Sequence, residues 1–386
     1  MEFKIQLCDY DTCTQCKACQ SVCPKNCISF VPAADGFKIP RIDRDLCIEC
    51  GACMRACHKI TRTVELRKPA HAYAAWTTNL AEREKSSSGG AFSAIAHKAL
   101  SAGGVVFGAR MDTDLKVRHI FIEHSEDIHK LQGSKYIQSD LTGIYPLVLK
   151  FLKSGRQVLF TGVPCQVAGL LTYLRKPYDN LATCDLVCHG VPSQEAFDLY
   201  INKIGLKGKI NNYSFRFTKG WGFQPACRLI SPTGRGFQRR IILPPKAYYM
   251  RAFTKGLMFS NACYSCPYAQ PERVSDITLA DYWGLGAEAP FNYPTVKGIS
   301  CVLANTEKGA ALIDNCDALE CHERPLSEAV NGNANLAHAS EKPAGHDTYF
   351  EDSKRMTIRE LSRKYGISAS VRDYLRIVKQ WINARR

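Results

Sequence analysis

Helix-like and strand-like spacings of apolar residues alternate along the chain from residue 86 onward. The segment AFSAIAHKALSAGG has apolar residues at helical spacing and ends in two glycines, a common helix stop. A β-branched run, VVFGARM, follows and predicts a strand. Helices are predicted at IYPLVLKFLKSG and VAGLLTYLRK, and buried strands at RQVLF and LATCDLV. Because these strands are apolar throughout and alternate with helices, the pattern predicts an α/β core with at least some parallel strands.

Three segments of the chain differ in composition or pattern from this core. Ten of the 19 cysteines lie in residues 1–57, so residues 1–62 are predicted to be a separate module. Residues 209–242 carry three more strand-like segments, YSFRF, ACRLIS and QRRIIL, between glycine-containing turns. Residues 350–386 are predicted to be a basic helical tail, because the stretch from Lys354 has ten Lys or Arg against two acidic residues at amphipathic spacing.

Composition indicates an ordinary globular protein with room for two or three domains. The chain has 386 residues, 45% hydrophobic and 23% charged, and no apolar stretch long enough to cross a bilayer. Its first residues lack the pattern of a secretory signal, so we expect a reducing cytoplasm, where cysteines bind metals rather than form disulfides. The net charge of +15 suits anionic partners: acidic electron carriers, phosphate-bearing cofactors or nucleic acid.

The first module contains an internal repeat of a four-cysteine motif. CTQCKACQSVCP and CIECGACMRAC share the spacing C-x2-C-x2-C-x3-C, in which three thiolates wrap one cuboidal 4Fe-4S cluster and the fourth faces another cluster. Zinc sites, the alternative, usually present cysteines in separated pairs. His58 stands where the motif usually has proline. The predicted ligands are Cys13, Cys16, Cys19 and Cys57 for one cluster, and Cys47, Cys50, Cys53 and Cys23 for the second.

Four further cysteines lie at turns of the predicted core. Cys165 and Cys188 each follow a strand, and the carboxyl ends of adjacent parallel strands meet on one rim of a sheet. Cys263 and Cys266 form a C-x2-C turn in ACYSCPYA. Spacing alone leaves three interpretations open: a third four-thiolate site, small buried residues, or a nucleophilic Cys165 with His189 as its base.

Seven motifs follow one another between about residue 70 and about residue 310: SSSGGAFSAIAHKAL, GSKYIQSD, VLFTGVPCQVAGL, DLVCHGVPS, FRFTKGWG, CYSCPYA and DITLADYWG. Their sequence and order resemble those of the coenzyme F420 hydrogenase/dehydrogenase beta subunit family. Members of that family are flavoproteins with FAD beside a 4Fe-4S cluster, and many carry a two-cluster ferredoxin head, as here. The resemblance therefore implies a dicluster ferredoxin-like domain, followed by the family's N-terminal region at 70–150 and its C-terminal region at 151–340, which form a flavin-binding α/β core.

The resemblance also assigns the cysteines of the core. It implies that Cys165, Cys188, Cys263 and Cys266 hold a third 4Fe-4S cluster close to the flavin. Seven cysteines then remain and are interpreted as packing residues: Cys8, Cys27, Cys184, Cys227, Cys301, Cys316 and Cys321.

Candidate flavin-binding residues lie in three of these motifs. The candidates in SSSGGAF precede a predicted helix, and a helix N-terminus favours an anion such as the FAD pyrophosphate. The alternative is that these residues form an ordinary helix cap. Those in GSKYIQSD belong to the flavin pocket by resemblance, with a solvated loop as the alternative. Those in DITLADYWG are a polar and an aromatic edge of the pocket. The candidates are Ser87, Ser88, Gly89, Gly90, Lys135, Tyr136, Gln138, Ser139, Asp281 and Trp283.

His189 is the candidate catalytic residue. Histidine titrates near neutral pH, so it can donate the proton that often accompanies hydride transfer. Its alternative role is to orient the loop around Cys188. Lys219 and Trp221 are candidate contacts to an anionic or planar acceptor.

These features predict an oxidoreductase that passes electrons from ferredoxin or a partner subunit through 4Fe-4S clusters to FAD, and by hydride transfer to an organic acceptor, or the reverse. An electron-transfer subunit without its own substrate is the alternative. A DNA-binding regulator is a third possibility, because TIRELSRKYGIS in the tail resembles the start of a helix-turn-helix. Basic tails commonly pack on a core or dock acidic partners, so we expect no nucleic-acid partner. We also expect no membrane insertion.

Overall fold

Thirteen strands are described in the computed structural model, which covers residues 4–61, 64–216, 224–230 and 237–375. They are β1 (Ile28–Pro32), β2 (Lys38–Ile42), β3 (His71–Thr77), β4 (Val105–Met111), β5 (Val117–Ile122), β6 (Val158–Thr161), β7 (Leu181–Leu186), β8 (Ile210–Ser214), β9 (Ala226–Ile230), β10 (Phe237–Ile241), β11 (Ile277–Asp281), β12 (Ser300–Ala304) and β13 (Leu319–Arg324). Eight of them form one mixed sheet in the order β13-β3-β12-β11-β7-β6-β4-β5. Strands β4, β6, β7 and β11 are parallel. The predicted α/β core is therefore confirmed.

Helices cover both faces of this sheet. The helices are α1 (Ala18–Val22), α2 (Ala52–Arg55), α3 (Leu80–Lys85), α4 (Ala91–Ser101), α5 (Ile144–Lys153), α6 (Pro164–Leu174), α7 (Gln194–Lys203), α8 (Tyr248–Thr254), α9 (Glu307–Asp314), α10 (Leu326–Gly332), α11 (His346–Arg355) and α12 (Ile358–Lys364). Val105 and Phe107 of β4 pack with residues of α5 and α6, whereas Val106 packs with α4 on the opposite face. Burial on both faces explains why the run from Val105 to Phe107 is apolar at every position.

Two smaller sheets flank the central one. In the first module, β1 and β2 form an antiparallel hairpin beside α1 and α2. Further along the chain, β10, β9 and β8 form a three-stranded antiparallel sheet. Its β8 residue Tyr213 and its β9 residue Cys227 pack in a large apolar cluster with α7 and α8. The segment ACRLIS thus contains β9, and QRRIIL contains β10 except for its first residue, whereas β8 begins three residues before YSFRF and ends at its second residue. The three strands form a sheet of their own.

The basic tail packs on this cluster for part of its length. Leu361 of α12 is fully buried, and Ile367 just beyond it is 1% exposed. The described part of the tail therefore packs on the core, and residues 376–386 lie outside the described part of the chain. Within the described residues, every helix is too short or too polar to serve as a membrane span.

Candidate metal centres and cofactor site

The first module has two cavities, and cysteines line both. They enclose about 370 and about 330 Å³ of space outside the protein atoms, open solvent included. The first is lined by Cys13, Cys16, Cys19 and Cys57, together with Cys8, and the second by Cys23, Cys47, Cys50 and Cys53, together with Cys27. Each cavity thus contains all four cysteines predicted for one cluster, including the fourth ligand that comes from the other loop.

The two cysteine loops have the same backbone conformation at equivalent positions. Gln15 and Lys17 have left-handed φ values of 56° and 67°, and Glu49 and Gly51 have φ values of 51° and 69°. Left-handed conformations are uncommon for residues other than glycine. Alternating conformations of this kind turn successive N–H groups toward one point and create a concave anion site, as around many iron–sulfur clusters. The loops are therefore shaped to enclose a negatively charged group.

Burial opposes the ionisation of two thiols in the first cavity, those of Cys16 and Cys19. Desolvation raises the pKa of Cys16, and it raises the pKa of Cys19 to about 12. Metal coordination requires thiolates, so cluster binding has to release these protons. In the described part of the chain, no three His, Cys, Asp or Glu side chains converge as ligands of a single ion. A cuboidal cluster needs a different arrangement, because each thiolate binds its own iron.

The four core cysteines come together at one rim of the large sheet. Cys165 lies in the first turn of α6, which begins at Pro164, so it is part of a helix rather than of the turn predicted before it. Cys188 follows the neighbouring parallel strand β7. Burial raises the pKa of Cys165 first, and the charges that Cys266, Cys188 and Cys263 carry as thiolates raise it further. The donor set and its proximity fit a four-thiolate cluster site.

This third group of thiols lies next to the first cavity. A Cβ atom added to Gly169, one turn along α6 from Cys165, would stand 2.9 Å from both Cβ and Sγ of Cys16. In the next turn, the Thr172 hydroxyl donates to the Ala56 carbonyl at 2.8 Å. Helix α6 therefore joins the two groups of thiols, with its glycine at the point of closest approach.

Gly169→Ala tests this approach. The added methyl group overpacks the contact with Cys16 and the Tyr145 hydroxyl, which lies 2.8 Å from its position, so we expect a loss of about 1–3 kcal/mol in the free energy of unfolding. Urea unfolding of the holoprotein measures the change. Because alanine is intrinsically better than glycine in a helix by about 1 kcal/mol, a stabilised variant would show that the contact is loose.

His58 explains why the second motif lacks its proline. The ring bonds with the Thr14 hydroxyl at 2.9 Å through Nε2 and with the Tyr268 hydroxyl at 2.6 Å through Nδ1. Burial lowers its pKa to about 4, so the ring is neutral at pH 7. Tyr268 lies two residues after Cys266, so His58 connects the first module to the loop of the third thiol group. Proline cannot make these bonds.

Two of the predicted flavin motifs meet at the N-terminus of α4. The Ser134 N–H donates to the Ser87 hydroxyl at 2.9 Å, and the Gln132 side chain donates to Ser93 of α4 at 2.9 Å. The Lys135 amine is held by the carbonyls of Leu131 and Gln132, at 2.7 and 2.8 Å. Burial lowers the pKa of Lys135 to about 7, and a nearby anion would favour its charged form. The loop that carries the Lys135 cation thus contacts the start of α4, and a cation and a helix N-terminus each favour a phosphate group.

The glycines of SSSGGAF are explained by packing. A Cβ atom on Gly89 would stand 2.4 Å from the Ala75 carbonyl oxygen, and Gly90 has a left-handed φ of 86° at the start of α4. The Ser88 hydroxyl donates to the Ile299 carbonyl at 2.9 Å. These residues fix the approach of α4 to the sheet, and no side chain of the described residues caps the helix, so the serines do not form the ordinary helix cap of the alternative.

Tyr136, Asp281 and His189 surround a second spot on the same rim. Arg216 makes an ion pair with Asp281 at 2.6 Å and bonds with the Tyr136 hydroxyl. The rings of Tyr136 and His189 lie 4.6 and 6.4 Å from Phe253. His189 is exposed to solvent, yet desolvation on its protein side lowers its pKa, and the Asp281 charge opposes that shift. This spot holds a proton-carrying group, a carboxylate and a phenol beside Cys188.

The side chains of Gln138 and Ser139 form hydrogen bonds with other parts of the protein. The Gln138 amide donates to the Thr14 carbonyl in the first cysteine loop at 3.1 Å. The Ser139 hydroxyl donates to Nδ1 of His119 at 2.6 Å, because Nε2 of that ring donates to the Thr161 carbonyl. Trp283 is the second residue after β11, and its carbonyl packs against Gly332. Lys219 and Trp221 lie outside the described residues.

The His119 network predicts acid sensitivity. Burial lowers the pKa of His119 to about 4, below its unfolded value near 6.5, so the unfolded chain takes up the proton first as pH falls. Stability from this group is complete above pH 6.5 and declines toward pH 4. We expect a loss of about 2 kcal/mol between pH 7.5 and pH 5, measured by urea unfolding. His119→Gln lacks this titration, so an equal decline in both proteins would contradict the assignment.

Three features of these sites escaped the sequence. Cys8 and Cys27 line the cluster cavities although they lie outside both motifs. Arg216, whose side chain is 4% exposed, belongs to the FRFTKGWG motif, but its ion pair spans 65 positions. The FRFTKGWG motif could have indicated a functional role for Arg216, whereas the spacing of Cys8 and Cys27 gave no indication that they line the cavities.

Comparison with known proteins agrees with these sites. Residues 12–60 match the model of a 4Fe-4S dicluster domain. Residues 72–144 and 155–328 match the N-terminal and C-terminal models of the coenzyme F420 hydrogenase/dehydrogenase beta subunit, which together span more than half of the chain. The molecule is an iron–sulfur electron-transfer protein. It belongs to the coenzyme F420 hydrogenase/dehydrogenase beta subunit family.

A solved structure and the curated proteins complete the comparison. A chain of the F420-reducing NiFe hydrogenase complex from Methanosarcina barkeri, studied by xenon derivatization, is 19% identical, with coverage of 78% of this chain and 92% of that chain and a TM-score of 0.45. No curated protein matches the chain.

Proposed function

We propose that this chain is an iron–sulfur flavoprotein oxidoreductase linking ferredoxin or a partner subunit to an organic hydride acceptor. Its two cavities hold 4Fe-4S clusters on the cysteines predicted for each, and Cys165, Cys188, Cys263 and Cys266 hold a third. The observation that carries the proposal is the contact of α6 with Cys16, which brings the third thiol group beside the first cavity. Three adjoining groups of thiols that end at a rim with a candidate proton donor make a path for electrons toward one reaction site.

The outer end of this path faces solvent. Cys50 in the second cavity is exposed, and beside it Leu46 and Ile48 are 54% and 57% exposed. The opposite cavity, with Cys16, faces the core. Exposed apolar residues around a cluster ligand suit a transient contact with a redox partner, which supports entry or exit of single electrons here.

The N-terminus of α4 and Lys135 support FAD as the organic cofactor. The uncapped first turn and the buried amine are suited to its diphosphate, while Tyr136 and Asp281 lie where the flavin ring would border Cys188. Bound FAD exchanges single electrons on one side for a hydride on the other. His189, exposed and next to Cys188, is the group on this rim that can supply a proton to the acceptor.

The sequence around β8–β10 supports an anionic acceptor. Residues 199–271 contain twelve Lys or Arg and no Asp or Glu. Within this region, strand β8 leads to Arg216, which pairs with Asp281 at the rim. A surface of one sign raises the local concentration of an oppositely charged substrate. Coenzyme F420, named in the family description, is therefore the first acceptor to test.

Anaerobic purification with iron, sulfide and flavin counted per chain tests the proposal. We expect about twelve irons and one FAD if three 4Fe-4S clusters are filled. Reduced ferredoxin should then reduce the flavin and, through it, coenzyme F420 or another planar acceptor. About eight irons would contradict the third cluster, and colourless protein would contradict the whole proposal.

The word "subunit" in the family description favours a second candidate: transfer of electrons to a partner enzyme without a substrate of its own. Reduction of the flavin by ferredoxin, with no turnover of any small acceptor, is the result expected of that function.

Lys135→Met tests the FAD site. Loss of a charged hydrogen-bond donor to the diphosphate should weaken FAD binding about 10- to 100-fold, while the iron count stays unchanged. Titration of flavin into deflavinated protein measures the affinity. Lys150→Met on the exposed face of α5 is the control and should bind FAD normally. Equal FAD affinity in both variants would place the diphosphate elsewhere.

A further inference from the structure

Each cluster cavity contains a fifth cysteine in the same relative position. Cys8 lies within hydrogen-bonding reach of Cys13 and Cys57. Cys27 lies 3.3 Å from Cys23, sulfur to sulfur, and within reach of Cys47. In both cavities, the extra thiol therefore touches the first cysteine of the three-cysteine loop and the cysteine contributed by the other loop.

The repeat in the sequence does not explain this equivalence. Cys8 precedes its loop by five residues, whereas Cys27 follows Cys23 by four and begins the segment leading into β1. The Thr12 hydroxyl holds Cys8 at 3.1 Å, and Cys27 is 6% exposed. Two unrelated positions in the sequence thus reach equivalent positions in space, which packing alone does not require.

We propose that Cys8 and Cys27 are reserve ligands of the two clusters. The inference rests on the ligand sets proposed above. When the bond between iron and Cys57 is broken, the Cys8 sulfur binds the same iron, and its proton passes to the released thiolate or to water. One iron–sulfur bond replaces another, and the oxidation state of the cluster does not change. Metal binding stabilises the thiolate form of the incoming ligand, as it does for any cysteine ligand.

The geometry limits which losses can be repaired. Cys8 is beside Cys13 and Cys57, so it can replace either of them. The described side-chain hydrogen bonds of Cys8 are with Cys13, Cys57 and Thr12, and its described effect on Cys16 is that of its charge alone. A reserve ligand therefore predicts a selective pattern of rescue, whereas a thiol that merely fills space predicts none.

Iron and sulfide counts on anaerobically purified full-length variants test this pattern. Cys57→Ala should keep about twelve irons, while Cys57→Ala/Cys8→Ala should lose between one and four and show the paramagnetic signal of a three-iron cluster when oxidised. Cys8→Ala alone should keep the wild-type count. Cys19→Ala should lose iron whether or not Cys8 is present.

Equal iron loss in Cys57→Ala and in its double variant would overturn the proposal. The pair Cys47→Ala and Cys47→Ala/Cys27→Ala repeats the comparison in the second cavity, and it decides the matter if Cys57→Ala is not recovered folded. Failure of the proposed function gives a different result, because wild-type protein would then lack the expected irons before any substitution is made.

Discussion

Arg273→Met should lower the free energy of unfolding by about 3–5 kcal/mol, the largest stability loss we expect from one substitution. Arg273 and Asp185 form an ion pair at 3.0 Å with side chains 1% and 0% exposed. Removal of the guanidinium leaves a buried carboxylate without its counter-charge. Because Arg273 also donates to the Tyr268 carbonyl at 2.8 Å, the loss releases the loop after Cys266 from the end of β7. Urea unfolding of the holoprotein measures the effect.

Two further variants identify the cause. Arg273→Met/Asp185→Leu removes both charges, and a buried apolar pair is often no less stable than an ion pair, so we expect much of the loss to be recovered. Arg67→Met breaks the exposed pair with Glu65 and should cost less than about 1 kcal/mol. If the double variant is as unstable as Arg273→Met alone, the lost hydrogen bonds to backbone carbonyls, rather than the unpaired charge, are the cause.

The sequence predicted those parts of the fold that depend on local periodicity. Helix α4 and strand β4 occupy the segments that their apolar spacing indicated, because each is buried on the faces that the spacing defines. The start of α6 was placed too late. Pro164 is suited to the first position of a helix, which brings Cys165 into the first turn, and the prediction started the helix at Val167.

The candidate sites divide in the same way. The spacing of the two cysteine motifs is one that wraps a single cluster, so the sequence alone could assign four cysteines to each cavity. The partners of Gln138 and Ser139 depend on how the first cysteine loop and β5 fold over the rim, so a motif match alone assigned both to the flavin. The positions of Cys8 and Cys27 depend on the same tertiary packing, and nothing in their local sequence distinguishes them from buried Cys301.

Cys188→Ala should remove the third cluster and leave the other two intact. In the proposed third cluster Cys188 is one of four thiolate ligands, and its charge acts together with those of Cys266 and Cys263. The iron count should fall from about twelve to about eight.

Loss of the central cluster should separate the two ends of the path. After mixing with reduced ferredoxin, the visible absorbance of the clusters in the first module should still bleach. The flavin should no longer be reduced in the same experiment. Cys184→Ala, on strand β7 just before Cys188 and 1% exposed, is the matched control, because its thiol packs in the sheet and donates to the Asp185 carbonyl. It should keep all twelve irons and normal flavin reduction. A Cys188→Ala protein that reduces its flavin at the wild-type rate would show that electrons reach the rim by another route.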